Sequence, residues 1–330
     1  MVWDVVTSQR VDAHAVLDLA ARAEQVDQVA PLDEATLLAL RHTDRQDPVV
    51  HLTVHNGDRL VGYAQVRADG PGSVVELVVD PDHRRQAMGT ALLHQAQTQA
   101  GAHTVEVWAH GDLPAAQALV AKVGGQAVRR LWLLGRDVTA LDEQAPQTDQ
   151  PGQAGSGGRS QARQEASTGT PQGLPAAPGV HLRQFRVGED EQAWLQVNAR
   201  AFAGHPEQGR TSLDDLLVRE HEPWFDPQGL ILAVDDDDTV VGSIWTKQHT
   251  PHVGEIYVLG VDPDAQGKGV GRALTAAGIA HLATRGATRV VLFVEADNHV
   301  ALTTYRAAGF APERAHTRYR LPQRDQPHHP

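Results

Sequence analysis

The feature that most constrains this chain is an internal repeat centred on an apolar run, a short polar turn and a second apolar run. The segment VVDPDHRRQAMGTALL at 78–93 is matched by GVDPDAQGKGVGRALT at 260–275, 182 residues later. Weaker matches follow in the same order on both sides of it: AARAE with NARAF, RLVGYAQV with TVVGSIWT, and LVAKVGGQ with TTYRAAGF. Because chance similarity would not preserve this order, the repeat predicts two copies of one fold.

A segment poor in apolar residues separates the two copies. Residues 142–178 contain no aromatic residue and one large aliphatic residue, Leu174. Such a segment cannot bury enough apolar surface to offset the entropy lost on ordering. We therefore interpret it as a disordered linker, with a polar recognition tail as the alternative. The predicted domains are 1–141 and 179–330.

Hydrophobic periodicity predicts the same succession of elements in each copy: a strand, a helix, several strands, a turn, a helix, a strand and a last helix. In the second copy, EIYVLGV at 255–261 is nearly continuously apolar, as buried strands are. RALTAAGIAHLATRG at 272–286 has the pattern of a helix that Gly286 ends. The predicted fold class is α/β (α+β mixed sheet). We expect two tandem domains, each built on its own mixed sheet.

Charge and composition narrow the possible functions. The chain has 29 Lys and Arg against 41 Asp and Glu, and its net charge of −12 disfavours nonspecific binding to nucleic acid or an anionic membrane. The absence of cysteine excludes a disulfide framework, a thiolate zinc site and a cysteine nucleophile. The N-terminus lacks a signal-peptide profile, and no apolar run approaches the ~20 residues of a membrane span. We predict a cytoplasmic monomer with a small-molecule substrate and neither nucleic acid nor membrane as partner.

Histidine is abundant, with 18 residues, and His249 and His252 are three positions apart. No acidic ligand set accompanies them, so we predict no metal site.

The turn of the second copy is rich in glycine and lies between a predicted strand and a predicted helix. It reads Gln266-Gly267-Lys268-Gly269-Val270-Gly271. Main-chain N–H groups at a helix N-terminus favour a phosphate, and glycine lets the backbone approach it closely. A Walker loop would need Ser or Thr after the lysine, and no acidic strand end of the dinucleotide type follows. A glycine turn without a ligand is the remaining alternative.

The pattern Q-x-x-G-x-G after an apolar strand resembles the acetyl-CoA signature of the GNAT acetyltransferase family. The resemblance implies that the preceding strand splays at a bulge, where its backbone would pair with the pantetheine arm and polarise the thioester carbonyl. The acetyl-CoA-binding residues that it implies in the second copy are Leu259, Gly260, Val261, Gln266, Gly267, Lys268, Gly269, Val270, Gly271, Arg272, Asn298, His299, Val300, Ala301, Leu302 and Thr303.

Two further residues are implied to transfer protons. Glu255 would be the general base that accepts a proton from the attacking amine, and Tyr305 would protonate the departing thiolate. Considered without the resemblance, Glu255 would be a solvated charge at a strand start, and Tyr305 would be a core residue of the last helix.

A closer resemblance extends over nearly the whole chain outside the linker, including GHPEQG, WFDPQGL, IWTKQH and FVEADNHVALTTYRAAGF. It is to the tandem-domain GNAT proteins that acetylate the cysteinyl amine of cysteinyl-glucosaminyl-inositol. The substrate-binding residues that this resemblance implies are Glu34, Glu207, Lys247, Glu255 and Phe293. Phe293 departs from the family, which usually has a tyrosine there, so one hydrogen bond to the acceptor would be lost.

The first copy has the pattern of a degenerate site. The repeat pairs Ser73 with Glu255 and Ala121 with Tyr305, and Ala87 replaces the first loop glycine. We therefore predict no turnover in this copy. The turn would still hold acetyl-CoA, through Leu77, Val78, Val79, Arg85, Gln86, Ala87, Met88, Gly89 and Thr90.

Two alternatives stay open at this point. One is a tandem GNAT enzyme for another amine, such as an aminoglycoside or a protein N-terminus. The other is an acetyl-CoA-binding sensor without turnover.

Overall fold

The computed structural model describes residues 3–41, 49–139, 177–204 and 208–323. The contacts divide the chain into two compact units, Met1–Trp132 with Arg314–Pro330 and Leu133–Glu313. The units thus assign residues 133–139 to the second half and residues 314–323 to the first, whereas the predicted domains divide the chain at the linker. Residues 142–176 of the predicted linker lie outside the described residues, and the domain limits stay a prediction.

The elements alternate strands and helices along the chain. The strands are β1 (Val6–Ser8), β2 (Val49–Asn56), β3 (Arg59–Asp69), β4 (Gly72–Val79), β5 (Thr104–Ala109), β6 (Gln126–Asp137), β7 (Val180–Gln184), β8 (Leu230–Asp235), β9 (Val240–Thr250), β10 (Val253–Val261), β11 (Arg289–Glu295) and β12 (Ala311–Arg320). The helices are α1 (Ala13–Asp27), α2 (Glu34–Arg41), α3 (Met88–Ala100), α4 (Pro114–Lys122), α5 (Glu191–Ala201), α6 (Leu213–Glu220), α7 (Val270–Thr284) and α8 (His299–Ala307).

The first unit is built on a mixed sheet. Strands β1 to β4 pair antiparallel in sequence order, β4 and β5 pair in parallel, and β12 pairs antiparallel with β5. Helix α3 covers one face with Met88, Leu92, Leu93, Ala96 and Ala100, which recur every three to four residues. Helix α1 covers the other face, so both faces are buried.

The second unit repeats this order. Strands β7 to β10 pair antiparallel, and β10 and β11 pair in parallel. Trp194 of α5 packs with Trp245 of β9 in an aromatic core on one face of the sheet. Helix α7 contacts the strands with nine buried residues. The predicted α/β class with mixed sheets is confirmed.

Helix and strand bounds follow the predictions closely in the second unit. Helix α7 starts two residues earlier than predicted, and Gly286 lies just beyond it with φ +90°. None of the helices in the described ranges is long and apolar enough to span a membrane.

Candidate functional site

Strands β10 and β11 diverge partway along their length. Their parallel pairing runs from Val253 with Arg289 to Ile256 with Leu292 and is recorded no further in the described residues, although β10 continues to Val261 and β11 to Glu295. On the other side of β10, the register with β9 shifts between Ile256 and Val258, which leaves Tyr257 as a bulge. A bulge bends and twists its strand. The expected splay and bulge are therefore present. Leu259, Gly260 and Val261 lie on the free stretch, by which we mean the part of β10 that still pairs with β9 after the pairing with β11 has ended.

The glycine turn that follows β10 has the backbone shape of an anion cradle. Gly267 has φ +76° and Gly269 has φ +91°, a region that side-chain-bearing residues rarely adopt. Gly269 is the N-cap of α7 and, among the described side chains, none caps the helix by a hydrogen bond. The first N–H groups of α7 therefore point outward with their partial positive charge. Lys268 and Arg272 are exposed beside them.

An arginine–aspartate pair supports this turn in each unit. Arg200 of α5 donates from Nε and Nη2 to Asp262 at 2.5 and 2.9 Å, and these hydrogen bonds hold the pKa of Asp262 below its usual value. Asp262 also accepts from the Asp264 amide at 2.9 Å. In the first unit, Arg22 of α1 donates to Asp80 at 3.0 Å. The repeat therefore preserves the support of the turn as well as its sequence.

The start of α8 lies after β11. Asn298 caps this helix, since its Oδ1 accepts from the Ala301 amide at 3.0 Å. His299 and Thr303 are exposed, and Val300 is 79% exposed, whereas Leu302 packs into the core. Val300 is itself one of the predicted binding residues, and its side chain is open to solvent.

Glu255 occupies a buried position on β10, directly opposite Lys247 on β9. Its residue exposure is 7%. His249 Nε2 lies 2.6 Å from Glu255 Oε2. The sequence interpretation considered His249 only as a metal ligand and missed this contact, because it depends on a second register shift, between Val253 and Gly254.

Lys247 lies over an aromatic surface. Its Nζ is 4.1 Å from the ring centroid of Trp224 and 5.2 Å from that of Tyr257. Arg219 Nε donates to the Tyr257 hydroxyl at 2.8 Å. A cation held over ring faces is attracted by their quadrupoles. Trp224, Tyr257 and Arg219 were not predicted from the sequence, since they come together from three separate segments.

Tyr305 is buried on α8, with its ring against Phe310 at a centroid distance of 5.8 Å. Burial raises the pKa of the Tyr305 hydroxyl above its ordinary value, so the hydroxyl keeps its proton at neutral pH. Phe293 on β11 is 44% exposed. Glu34 begins α2 in the first unit, and Glu207 lies outside the described residues.

The first unit differs from the second at both positions that are predicted to transfer protons. Strands β3 and β4 pair from Gly62 with Val79 to Asp69 with Gly72 without a register shift, so β4 lacks the residue that the bulge adds to β10. Aligning the ends of the parallel pairs, Val75 and Ile256, places Val74 rather than Ser73 opposite Glu255.

The glycines that follow α4 and α8 correct the second correspondence. Gly124 and Gly309 have φ +76° and +86°. Aligning them places the buried Val120, and not the exposed Ala121, opposite Tyr305. Neither Val74 nor Val120 has a group that transfers a proton.

A cavity of about 400 Å³ lies in the first unit where β4 and β5 diverge. Its lining includes eight of the nine residues predicted to hold acetyl-CoA there, all except Gln86, together with Trp108, His110 and residues of α4. Arg85 and Ala87 both have φ +64°, the left-handed shape that Gly267 and Gly269 adopt in the second unit. Residues with a Cβ adopt this shape at a cost of about 1–2 kcal/mol each. The turn therefore keeps its shape although Arg85 and Ala87 replace two of its glycines.

A second cavity, of about 180 Å³, lies in the second unit among Trp224, Asp226, Gln248, His281 and Arg285. It contains none of the predicted site residues.

Buried charge lies next to the larger cavity. His110 Nε2 is 2.7 Å from Glu76 Oε2, and His110 Nδ1 is 3.0 Å from His316 Nδ1. Burial raises the pKa of Glu76 to about 7, and the Glu76 charge raises the pKa of His110 against the opposing effect of burial. The sequence interpretation missed this pair, since Glu76 lies within an apolar strand pattern.

Comparison with known proteins identifies relatives of both halves. The Acetyltransferase (GNAT) family matches the chain twice, over residues 14–124 and 193–310. A mycothiol acetyltransferase of Sanguibacter keddieii is 48% identical over 321 residues, covering 93% of this chain and 93% of that protein. A mycothiol acetyltransferase of Cellulomonas flavigena is 45% identical over 322 residues, covering 92% and 84%.

Solved structures share the fold. A tandem GNAT protein from the clavulanic acid biosynthesis pathway has a TM-score of 0.68 at 19% identity, over 98% of this chain and 99% of that one. A GCN5-related N-acetyltransferase from Sphaerobacter thermophilus has a TM-score of 0.64 at 22% identity, over 98% of both chains. The predicted duplication of one fold is confirmed.

Proposed function

This chain belongs to the GNAT acetyltransferase family, among its mycothiol acetyltransferases, and from that premise we propose that its second unit acetylates the cysteinyl amine of cysteinyl-glucosaminyl-inositol to give mycothiol. The chain is an acyltransferase, and enzymes of its family take the acetyl group from acetyl-CoA. The acceptor, the proton-transfer residues and the binding residues are our proposal.

The observation that carries the proposal is the placement of Glu255 on the strand that leads into the glycine turn. Glu255 precedes the bulge at Tyr257, and the free stretch Leu259–Val261 follows it and leads into the turn. A diphosphate bound to the amides of residues 267–271 would extend its pantetheine arm along that stretch toward Glu255. The thioester carbonyl would then accept a hydrogen bond from a free amide of β10.

Glu255 would receive the proton that the amine must lose. An α-amine titrates near 7.7–8.0, so a useful fraction is neutral at neutral pH and a carboxylate is a sufficient base. The amine nitrogen forms a bond to the carbonyl carbon, the C–S bond breaks, and the thiolate takes a proton from Tyr305, which regains one from solvent before the next turnover. The buried Tyr305 is protonated before this step, as an acid must be.

Lys247 and the rings of Trp224 and Tyr257 would bind the sugar part of the acceptor. An aromatic face beside a charged donor suits a polyhydroxy ligand, which offers both C–H and O–H groups. Glu34 and Glu207 would add carboxylates for hydroxyl or ammonium groups. Phe293 supplies a ring without a hydroxyl.

The first unit would bind acetyl-CoA without turnover. Its turn keeps the left-handed shape at Arg85 and Ala87, and its cavity lies at the corresponding splay. Residues with strained backbone angles cluster at functional sites, where the function depends on the shape of the backbone. The valines at the places of Glu255 and Tyr305 leave this unit without the proposed base and acid.

The test is an acceptor panel with purified protein and acetyl-CoA, followed by thiol release and by mass spectrometry of the product. We expect cysteinyl-glucosaminyl-inositol to give an N-acetyl product with a kcat/KM at least about 10²-fold above that of aminoglycosides or peptide N-termini, since a pocket that hydrogen-bonds its ligand rejects analogues by such factors. A higher kcat/KM for another amine would identify that amine as the acceptor in place of cysteinyl-glucosaminyl-inositol. The missing hydroxyl at Phe293 would favour this outcome. Absence of thiol release with every amine contradicts the enzymatic proposal.

A further inference from the structure

The reaction proposed above releases a proton that must reach solvent. An ammonium acceptor and acetyl-CoA give an amide, a thiol and one proton, because the ammonium loses two protons and the thiolate takes up one. Glu255, the proposed base, is almost completely buried. A buried carboxylate that accepts a proton in every turnover needs a neighbour through which the proton leaves.

We propose that His249 is the positioning residue for Glu255 and passes its proton to solvent, an inference that rests on the proposed acetyltransferase function. His249 Nε2 lies 2.6 Å from Glu255 Oε2. The His249 side chain is 41% exposed, against 9% for the side chain of Glu255. The imidazole therefore joins the buried carboxylate to the surface. It accepts a proton at Nε2 and releases one to solvent from Nδ1, which leaves the Nε2–H tautomer; exchange of the ring protons with solvent then regenerates the Nδ1–H tautomer before the next turnover.

The backbone explains how His249 reaches Glu255. On β9, Thr250 pairs with Val253 and Gln248 pairs with Gly254, so His249 is an extra residue without a partner on β10. Such bulges redirect a side chain, and they are common beside active sites. Without the bulge, the alternation of side chains along the strand would alone set the spacing between His249 and Glu255.

Among the described residues whose contacts lie near this pair, the other charged groups bind or orient. Lys247, opposite Glu255, lies over Trp224 and Tyr257, and Arg219 donates to the Tyr257 hydroxyl. Lysine and arginine stay protonated at neutral pH, so they bind or orient but do not cycle a proton. Histidine is the side chain whose ordinary pKa suits both uptake and release near neutrality.

The experiment compares His249→Ala with His249→Gln. Alanine removes both the hydrogen bond and the relay, whereas the glutamine amide still donates to Glu255 but carries no proton. We expect both variants to lose about 10²-fold in kcat with little change in the KM for acetyl-CoA, the low end of the range for proton-transfer groups. Added imidazole would restore H249A by about 10-fold or more, since it fits the space that the ring leaves, and would not restore H249Q.

His252→Ala is the matched control. His252 is an exposed histidine of the same hairpin, and it contacts Thr288 and Arg289 through its backbone carbonyl. H252A should turn over at the wild-type rate with or without imidazole. Circular dichroism and the melting temperature verify that each variant is folded.

The outcomes separate the relay from the enzymatic function itself. Turnover of H249A at the wild-type rate overturns the inference. Turnover of H249Q at the wild-type rate would mean that His249 only orients Glu255, and it also overturns the inference. A slow H249A whose rate imidazole does not restore overturns the relay. Each result requires an active wild-type enzyme. A wild-type protein that acetylates no amine contradicts the proposed function instead.

Discussion

At the scale of single residues, the two groups proposed to transfer protons in the second unit have different surroundings. Tyr305 is buried against Phe310 and keeps its proton, which suits an acid. Glu255 has one oxygen on His249 and lies opposite Lys247, which suits a carboxylate that takes a proton and loses it again. The second unit thus contains a protonated hydroxyl and a carboxylate, the two groups that the proposed acid and base require.

Glu255→Gln tests the base. We expect kcat to fall by about 10²-fold or more at neutral pH, with the KM for acetyl-CoA nearly unchanged, because the amide preserves shape but accepts no proton. Steady-state thiol release measures both constants. Glu189→Gln, an exposed glutamate of the same unit, is the control and should have no effect. An unchanged rate for E255Q removes Glu255 from this role.

Tyr305→Phe tests the acid. The ring and its contact with Phe310 stay, so the fold should be unaffected while kcat falls by about 10²-fold. A departing thiolate that needs no proton donor would leave the rate at the wild-type value, and a stopped-flow thiol assay distinguishes the two cases.

At the scale of elements, the glycine turn and the helix after it have the backbone geometry that the proposed diphosphate site requires. The left-handed φ angles of Gly267 and Gly269 aim successive amides to one side, and α7 adds the positive end of its dipole. In the first unit Arg85 and Ala87 adopt the same angles under strain. The turn is therefore preserved as a shape even where its sequence has changed.

Gly269→Arg should raise the KM for acetyl-CoA by about 10-fold or more, because a side chain at the N-cap crowds the position of the diphosphate and costs roughly 1–2 kcal/mol of backbone strain. Gly188→Arg is the control, since Gly188 has φ +85° and open space around it but lies away from the turn. It should lower the melting temperature similarly while leaving the KM as in the wild type. Equal KM values in G269R and the wild type contradict the assignment of the turn.

Ala87→Gly should stabilise the protein. Glycine removes a left-handed alanine, which offsets its greater freedom in the unfolded chain and leaves a gain of roughly 0.5–1 kcal/mol. Urea unfolding measures the change, and a loss of stability would show that the strain at this position is small. Gly269→Ala makes the opposite change at the equivalent position of the second unit and should destabilise.

At the scale of the whole molecule, duplication has produced two units with one fold and different polar interiors. The first unit places Glu76, His110 and His316 in contact beside its cavity. Burial raises the pKa of Glu76 from its ordinary 4.5 to about 7. A raised carboxyl pKa means that the folded protein binds a proton that the unfolded chain has released, so stability decreases as pH rises through this interval.

Glu76→Gln tests this linkage. The free energy of unfolding of the wild type should decrease between pH 5 and pH 7.5, by roughly 1–3 kcal/mol more than that of E76Q, which has no carboxyl to ionise. The raised pKa of His110 acts in the same direction, because its proton is also lost from the folded state as pH rises. Urea titrations at the two pH values measure the difference. Parallel curves for the two proteins contradict it.

Two units with one turn each also predict two acetyl-CoA sites. Calorimetry should give two sites per chain in the wild type and one in Gly269→Arg. Gly89→Arg should remove the other, because a side chain there meets Leu119 at the wall of the first cavity. G89R should keep its catalytic activity if turnover belongs to the second unit.

Several features could be predicted from the sequence alone. The order of strands and helices and the glycine turn follow from residue types at short spacings, the duplication follows from the internal repeat, and the candidates Glu255 and Tyr305 follow from the resemblance to the GNAT family. Left-handed angles at Gly267 and Gly269, for example, are a local property of glycine.

Features that depend on the pairing register between distant segments could be identified only in the folded chain. The bulges at Tyr257 and His249 shift the pairing by one residue, and that shift brings His249 to Glu255 and moves the partner of Glu255 in the repeat from Ser73 to Val74. The aromatic surface under Lys247 and the contact between Glu76 and His110 also depend on which residues of separate segments face each other. Periodicity within one strand contains no information about which residue of another strand it faces, so these contacts are set by the packing of the sheet.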